Sequence, residues 1–181
     1  MIFVTVGVQL PFDRLIRVVD EWAEKANRSD VVAQVGASTY SPKRLTVYAQ
    51  LAIDEFKKFV EQAEVVVAHA GMGSIITALE LGKPIIIMPR LASLGEHRND
   101  HQLATAAHMA AQKLINVAHN QEELLSLLDK VGPLEGVHRA NPHASPELLN
   151  TVKSFIQRVD HRERRKATVF NKLSSVLNKI A

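Results

Sequence analysis

Short apolar runs alternate along this chain with longer segments in which apolar residues recur at helical spacing. The runs predict six strands, at 2–6, 31–35, 45–49, 64–68, 84–88 and 114–118. Several of them are apolar almost throughout, without the alternation that is typical of a strand with one solvated face. We therefore expect strands that are covered by other elements on both faces.

The segments between the runs predict helices. They lie at 12–27, 53–63, 73–81, 100–112 and 121–130. In the first segment Leu15, Ile16 and Val19 fall on one face. Gly82 and Pro84 mark the end of the third helix and the start of the next strand. Strands that alternate with helices through short connections predict an α/β fold, a Rossmann-like parallel sheet with helices on both faces.

The pattern changes after residue 131. Residues 132–146 are rich in glycine, proline and asparagine and predict a loop. Beyond them, apolar residues return at helical spacing in two stripes, which the charged segment 160–166 separates. We therefore expect two parts, a Rossmann-like domain over 1–146 and an amphipathic, basic helical tail over 147–181.

Composition narrows the class of protein. The 181 residues include no cysteine, which excludes disulfides, thiol nucleophiles and zinc–thiolate sites. No apolar run approaches the roughly 20 residues that span a bilayer, and no basic signal-peptide start is present, so we expect a cytoplasmic protein. The net charge of +3 is uneven, because 14 Lys+Arg minus 17 Asp+Glu give −3 over 1–152, whereas 8 minus 2 give +6 over 153–181.

The sharpest chemical feature is the predicted strand, turn and helix at 64–82. The strand ends near His69, Gly71 and Gly73 form the turn, and Ser74 begins the helix. Glycines let the backbone approach a ligand closely, and the N–H groups and dipole of a helix N-terminus favour a phosphate. The alternative is a tight turn without a ligand, in which Ser74 only caps the helix.

Two common nucleotide motifs are excluded at this turn. A dinucleotide fingerprint that starts at Gly71 would need glycine at Ile76 and an acidic residue at the end of the next strand, where Arg90 stands. A Walker loop would need lysine followed by serine or threonine after the glycines. The turn therefore indicates a phosphate without indicating NAD.

Polar residues concentrate in 90–102, after the predicted strand 84–88 and at the edge where doubly wound sheets bind ligands. His97 and His101 are four residues apart and have acidic neighbours, which allows a metal site, but a predicted loop at 93–99 does not place both rings on one helix face. The alternative is a solvated loop followed by a helix that Asp100 caps.

The turn after the first predicted strand reaches the same edge. Gly7 ends that strand, and Gln9 follows two residues later. A second backbone approach to a phosphate or sugar is one interpretation of this turn. A simple strand–helix connection is the other.

Together these segments resemble the C-terminal domain of glycosyltransferase family 28. The resemblance rests on FVTVG at 3–7, HAGMGS at 69–74, ALELGKPIIIMPR at 78–90 and NDHQ at 99–102, in this order over about residues 1–130. It is strongest for single-domain members, which act in two-chain transferases and in bacterial exopolysaccharide synthesis. It implies the C-terminal, donor-binding half of a GT-B fold.

The resemblance also implies a UDP-sugar site without a cofactor or a metal. Residues 71–74 would hold the diphosphate, and the backbone at Ile53 would face the uracil. Asp100, His101 and Gln102 would contact the donor sugar. The implied donor-binding residues are Gly7, Gln9, Ile53, His69, Gly71, Met72, Gly73, Ser74, Thr77, Arg90, Asp100, His101 and Gln102.

Two positions depart from the family pattern. Val8 stands where the family often has threonine, so a hydroxyl contact is missing. Thr77 stands at the place of a glutamate that grips the ribose in the muramyl-pathway enzyme, and Glu80 lies almost one turn further along. We therefore expect ribose recognition to differ from that enzyme.

The resemblance implies a partner chain, or a second copy of this one, because a complete GT-B enzyme has two such domains. A membrane-anchored subunit would supply the acceptor site. The basic tail 153–181 suits docking to that subunit, or lying on an anionic membrane at its inner face. The alternative is a solvated C-terminal helix that swaps or frays. The tail lacks interleaved aromatic residues, so we expect no nucleic-acid binding.

The hypothesis is the donor-binding catalytic subunit of an inverting glycosyltransferase, which moves a sugar from a UDP-sugar to a lipid-linked acceptor. A general base would deprotonate the acceptor hydroxyl, and we expect it on the partner, with His69 and His101 as the local candidates. The alternatives are a non-catalytic scaffold or regulatory subunit, and a nucleotide-sugar epimerase or hydrolase.

Overall fold

Six strands form one parallel sheet in the first of the chain's two units, Met1–Ala140. The computed structural model describes residues 1–112, 115–131 and 144–158. The strands are β1 (Ile2–Thr5), β2 (Val31–Gln34), β3 (Thr46–Tyr48), β4 (Val65–His69), β5 (Ile85–Met88) and β6 (Asn116–Val117). Their order is β3-β2-β1-β4-β5-β6, and all neighbours are parallel. The predicted α/β, Rossmann-like sheet is confirmed.

Helices cover both faces of this sheet. They are α1 (Asp13–Lys25), α2 (Ile53–Gln62), α3 (Met72–Glu80), α4 (His101–Ala111) and α5 (Gln121–Leu128). Successive residues of a strand point to opposite faces, so Ile2 and Val4 join the core cluster that contains α1 and α5, and Phe3 joins the cluster that contains α2 and α3. The strands β1, β4 and β5 are buried on both faces, and their sequences are apolar almost throughout. The expectation of such burial is wrong for the edge strand β3, whose three residues are all exposed.

The sheet order brings three loops to one edge. In a parallel sheet every strand ends at the same side, and β1 lies directly beside β4 although they are far apart in the chain. The strand order reverses between them, which makes their carboxyl ends the switch point where such sheets leave a crevice. The β1–α1 loop, the β4–α3 turn and the β5–α4 loop meet there.

The second unit, Asn141–Ala181, contains a helix over 146–158. Its apolar side chains are 47–60% exposed, at Leu148, Leu149, Val152, Phe155 and Ile156. Among the described helices, none has the length and apolar character needed to cross a membrane. The rest of the predicted tail at 159–181, with the second apolar stripe, and the predicted loop at 132–143 lie outside the described residues.

Candidate functional site

A cleft of about 470 Å³ opens at the switch point of the sheet. It is formed by the ends of β1 and β2, the start of α2, the β4–α3 turn and the β5–α4 loop. The lining residues are Thr5, Val6, Gly7, Val8, Gln9, Gln34, Leu51, Ile53, Phe56, His69, Gly71, Gly73, Ser74, Thr77, Arg90, His97, His101 and Gln102. No Asp or Glu is among these described residues, so none of them presents a carboxylate to an anionic ligand.

The structure brings most of the predicted site residues to this cleft. The two exceptions are Met72, which is 45% exposed outside the lining, and Asp100, whose Oδ1 accepts a hydrogen bond from the Ala92 N–H at 2.9 Å. His97, which was not in the predicted set, does line the cleft. The roles of the lining residues toward a ligand stay predictions.

The N-terminus of α3 is open toward the cleft. Gly71 is the N-cap residue, and no side chain caps the helix. Ser74 is the third helical residue and buried, so the alternative in which it serves as the cap is wrong. The first N–H groups of a helix have no partner within the helix. A Cβ added at Gly73 would meet nothing within 4 Å, so there is room for an anion at this end.

The His69 ring occupies space that two glycines leave free. A Cβ on Gly7 would lie 2.7 Å from its Cε1, and a Cβ on Gly71 would lie 2.7 Å from the same atom and closer still to Nε2. The Nδ1 atom of the ring is buried and has no hydrogen-bond partner among the residues that the structure describes. Burial, with a smaller effect from the Arg90 charge, lowers the pKa of His69 from 6.5 to about 4. The imidazole is therefore neutral at pH 7.

Arg90 is 2% exposed and lines the inner wall of the cleft. Its guanidinium donates to the carbonyl oxygens of Val6 at 2.7 Å, Leu10 at 2.6 Å, Pro11 at 2.6 Å and Glu96 at 3.0 Å. These bonds tie the β1–α1 loop to the β5–α4 loop. Arg90 was predicted among the donor-binding residues, but the structure directs its guanidinium to the backbone of the protein.

A second link between the same loops was missed by the sequence analysis. Arg14 forms a bidentate ion pair with Glu96, in which the Nε–Oε1 and Nη2–Oε2 distances are both 2.7 Å. The Glu96 carboxylate also accepts from the Leu91 N–H, at 2.9 Å to Oε2. No local pattern pairs two residues that are 82 positions apart in the chain.

Hydroxyl groups support the two glycine turns from inside. Thr5 Oγ1 donates to Gln34 Oε1 at 3.0 Å and accepts from the Gly7 N–H at 3.2 Å. Thr77 Oγ1 donates to the Gly73 carbonyl at 2.9 Å, so its proton is used within α3. Thr77 can then offer a ligand only acceptor capacity at its oxygen.

Two histidines stand together on the β5–α4 side of the cleft. The ring centroids of His97 and His101 are 4.5 Å apart, with the planes at 80°. Asn99 lies between them in sequence, and its side-chain oxygen is hydrogen-bonded to His101 Nδ1. Within the part of the chain that is described, no group of three or more His, Asp and Glu is arranged to hold a metal ion.

Comparison with known families and proteins gives consistent matches. The family model described as the glycosyltransferase family 28 C-terminal domain matches residues 1–159. The UDP-N-acetylglucosamine transferase subunit ALG13 of Mus musculus is 29% identical, over 87% of this chain and 15% of its own length. The subunit of the same name from Homo sapiens is 30% identical, over 60% of this chain and 10% of its own. The chain thus spans a small part of these relatives.

Solved structures agree on the fold. A glycotransferase of kitacinnamycin superposes with a TM-score of 0.56 at 17% identity, over 73% of this chain and 34% of its own. The solution structure of an ALG13 protein gives a TM-score of 0.54 at 15% identity, over 84% of this chain and 94% of its own. At such identities the likeness shows the fold alone.

Proposed function

This chain belongs to the glycosyltransferase family 28 C-terminal domain family, and from that premise we propose that its cleft binds the diphosphate of a UDP-sugar. The chain would be the donor-binding catalytic subunit of an inverting glycosyltransferase. It would transfer the sugar to a lipid-linked acceptor in glycan or exopolysaccharide synthesis. The names of the ALG13 relatives, which contain "UDP-N-acetylglucosamine transferase subunit", support this choice of donor class.

One observation carries the proposal: the uncapped N-terminus of α3 lies in the cleft, beside open space at Gly73. Free N–H groups and the positive end of the helix dipole form a site for an anion. The absence of carboxylates from the lining removes a source of repulsion. A diphosphate that lies on this turn would be stabilised most when charge develops on it as the leaving group, which favours transfer without a metal.

The general base belongs on another chain in this proposal. His69 is unsuited to the role, because its ring is packed between Gly7 and Gly71 and its pKa is lowered to about 4. The partner would be a membrane-anchored subunit at the cytoplasmic face, and it would hold the acceptor. The exposed apolar stripe of the helix over 146–158 supports docking of the tail to such a subunit or to the membrane surface.

The test is calorimetric titration of the purified chain with UDP, with GDP and NADH as controls. Binding of UDP alone would support a uridine-specific donor site on this chain. If UDP fails to bind, the titration is repeated with the partner present. Continued failure there would contradict the proposal and favour the scaffold alternative, and turnover of UDP-sugar without an acceptor would favour an epimerase or hydrolase.

A variant pair sharpens the test. Gly73→Val places a branched side chain in the open space over the α3 N-terminus, so we expect UDP affinity to fall at least about tenfold because the diphosphate and the side chain compete for one volume. Ile76→Val is the matched control, because it introduces the same residue on the same helix, at an exposed position outside the cleft lining. Equal affinities in the two variants would place the phosphate elsewhere.

A further inference from the structure

The cleft has few positive side chains for a ligand that carries negative charge on both phosphates. Among the described lining residues, Arg90 is the one permanent cation, and its guanidinium donates to four backbone carbonyls. The His69 imidazole is packed between two glycines and stays neutral. The remaining lining groups that can gain positive charge are His97 and His101.

Asn99 orders the protons of these two rings. Its side-chain oxygen can only accept, so the hydrogen bond to His101 Nδ1 places a proton on Nδ1 and leaves the lone pair on Nε2. Its backbone N–H donates to His97 Nδ1 at 3.5 Å, which places the proton of that ring on Nε2. The neutral ring of His97 can therefore donate from Nε2. The ring of His101 can donate from Nε2 only after it has gained a second proton.

The charged neighbours of the pair are largely engaged elsewhere. Glu96 is paired with Arg14, and the Asp100 carboxylate accepts from the Ala92 N–H. Asp100 is the residue immediately before His101 in the chain. Arg98 is exposed, and Arg90 is buried in the inner wall of the cleft. Among the described residues no hydrogen-bond partner is found for His101 Nε2, and His101 lines the cleft, so a bound phosphate is the anion that this atom could meet.

We propose that His101 takes up one proton from solvent at Nε2 when the cleft binds the diphosphate of a UDP-sugar, while His97 donates from Nε2 as a neutral ring. The proposal rests on the proposed function of the same cleft. No covalent bond changes in this step. His101 becomes an imidazolium that donates from Nδ1 to Asn99 and from Nε2 to a phosphate oxygen, which is a charge-assisted hydrogen bond.

The experiment is calorimetric titration of the full chain with UDP-N-acetylglucosamine between pH 6 and pH 8, in PIPES and in Tris. These buffers differ in ionisation enthalpy, so the difference in observed heat counts the protons taken up. Both phosphates of this ligand are esterified, whereas the terminal phosphate of UDP titrates near pH 6 and would obscure the count. We expect uptake that approaches one proton at the upper end of the pH range, with affinity falling up to about tenfold per unit of pH there.

Variants assign the proton. His101→Gln should bind with little proton uptake and a flat pH profile, whereas His108→Gln, on the exposed face of the same helix outside the cleft, should keep both properties of the unmodified chain. Binding without proton uptake by the unmodified chain would overturn the inference and leave the proposed function standing. So would uptake that persists in His101→Gln. Failure of the ligand to bind at every pH, with the partner subunit present as well, would overturn the proposed function and the inference with it.

Discussion

Two glycines of the same turn should respond in opposite ways to alanine. Gly71 and Gly73 have the same residue type and lie two positions apart, and neither has the positive φ that favours glycine. A Cβ at Gly71 would overlap the His69 ring, at 2.7 Å from Cε1 and 2.9 Å from Cδ2. A Cβ at Gly73 would meet no atom within 4 Å.

The magnitudes follow from these distances. Gly71→Ala forces the largely buried His69 ring to move, and its room is limited because the ring also lies against Gly7. Overpacking of this kind costs about 1–3 kcal/mol of the free energy of unfolding. Gly73→Ala removes backbone freedom from the unfolded chain without a new clash, so we expect stabilisation of roughly 0.4–1 kcal/mol. The free energies of unfolding of the two variants should therefore differ by about 1.4–4 kcal/mol.

The assay is urea unfolding followed by the fluorescence of Trp22, which is the one tryptophan of the chain and 6% exposed. A double-mutant cycle with His69→Ala isolates the cause. In the His69→Ala background the ring is gone, so Gly71→Ala should lose most of its cost, and the coupling free energy should be about 1–3 kcal/mol.

Two results would refute this reasoning. If Gly71→Ala unfolds at the same urea concentration as Gly73→Ala, the His69 ring does not fill the space beside Gly71. If Gly71→Ala is destabilising but the cycle gives a coupling near zero, another contact causes the cost. The effect of Gly73→Ala also serves as the control for adding a methyl group to this turn.

Two further predictions concern buried groups that line the cleft. Arg90→Met should lower the free energy of unfolding by about 3 kcal/mol or more, because four loop carbonyls lose a buried charged donor. The control Arg17→Met, on the exposed face of α1, should cost about 1 kcal/mol or less in the same urea assay. Equal losses in the two variants would contradict the assigned role of Arg90. Between pH 7 and pH 5 the unfolded chain takes up a proton at His69, whereas the folded chain does not, because its His69 has a pKa of about 4. The free energy of unfolding should therefore fall by about 2 kcal/mol more in the unmodified protein than in His69→Gln over this range. Parallel pH profiles of unfolding would show that the ring is not held neutral.

Most of the architecture was predictable because it depends on local patterns. Strands buried on both faces need continuous apolar runs, and helices need apolar residues at a spacing near 3.6, so the six strands and five helices were found to within a few residues. The parallel edge then placed the ends of β1, β4 and β5 together, which is why most of the predicted site residues line one cleft.

The chemistry of single groups in the cleft was decided only by the tertiary structure. Arg90 follows a strand at the ligand edge, which favoured a ligand contact, yet its guanidinium meets carbonyls of the β1–α1 loop that lie about 80 residues earlier in the chain. The Arg14–Glu96 ion pair likewise joins two residues that are 82 positions apart in the chain. Such contacts depend on which loops the sheet order brings together, and no short spacing encodes them.

The glycines of the β4–α3 turn show the division most clearly. The amino-acid sequence predicts a turn with little steric bulk ahead of a helix, because two glycines precede an apolar helical pattern. It could not distinguish Gly71, which leaves space for the His69 ring, from Gly73, which leaves space open to the cleft. That difference depends on the direction of each missing Cβ relative to β1 and β4, and directions of this kind exist only once the strands are paired.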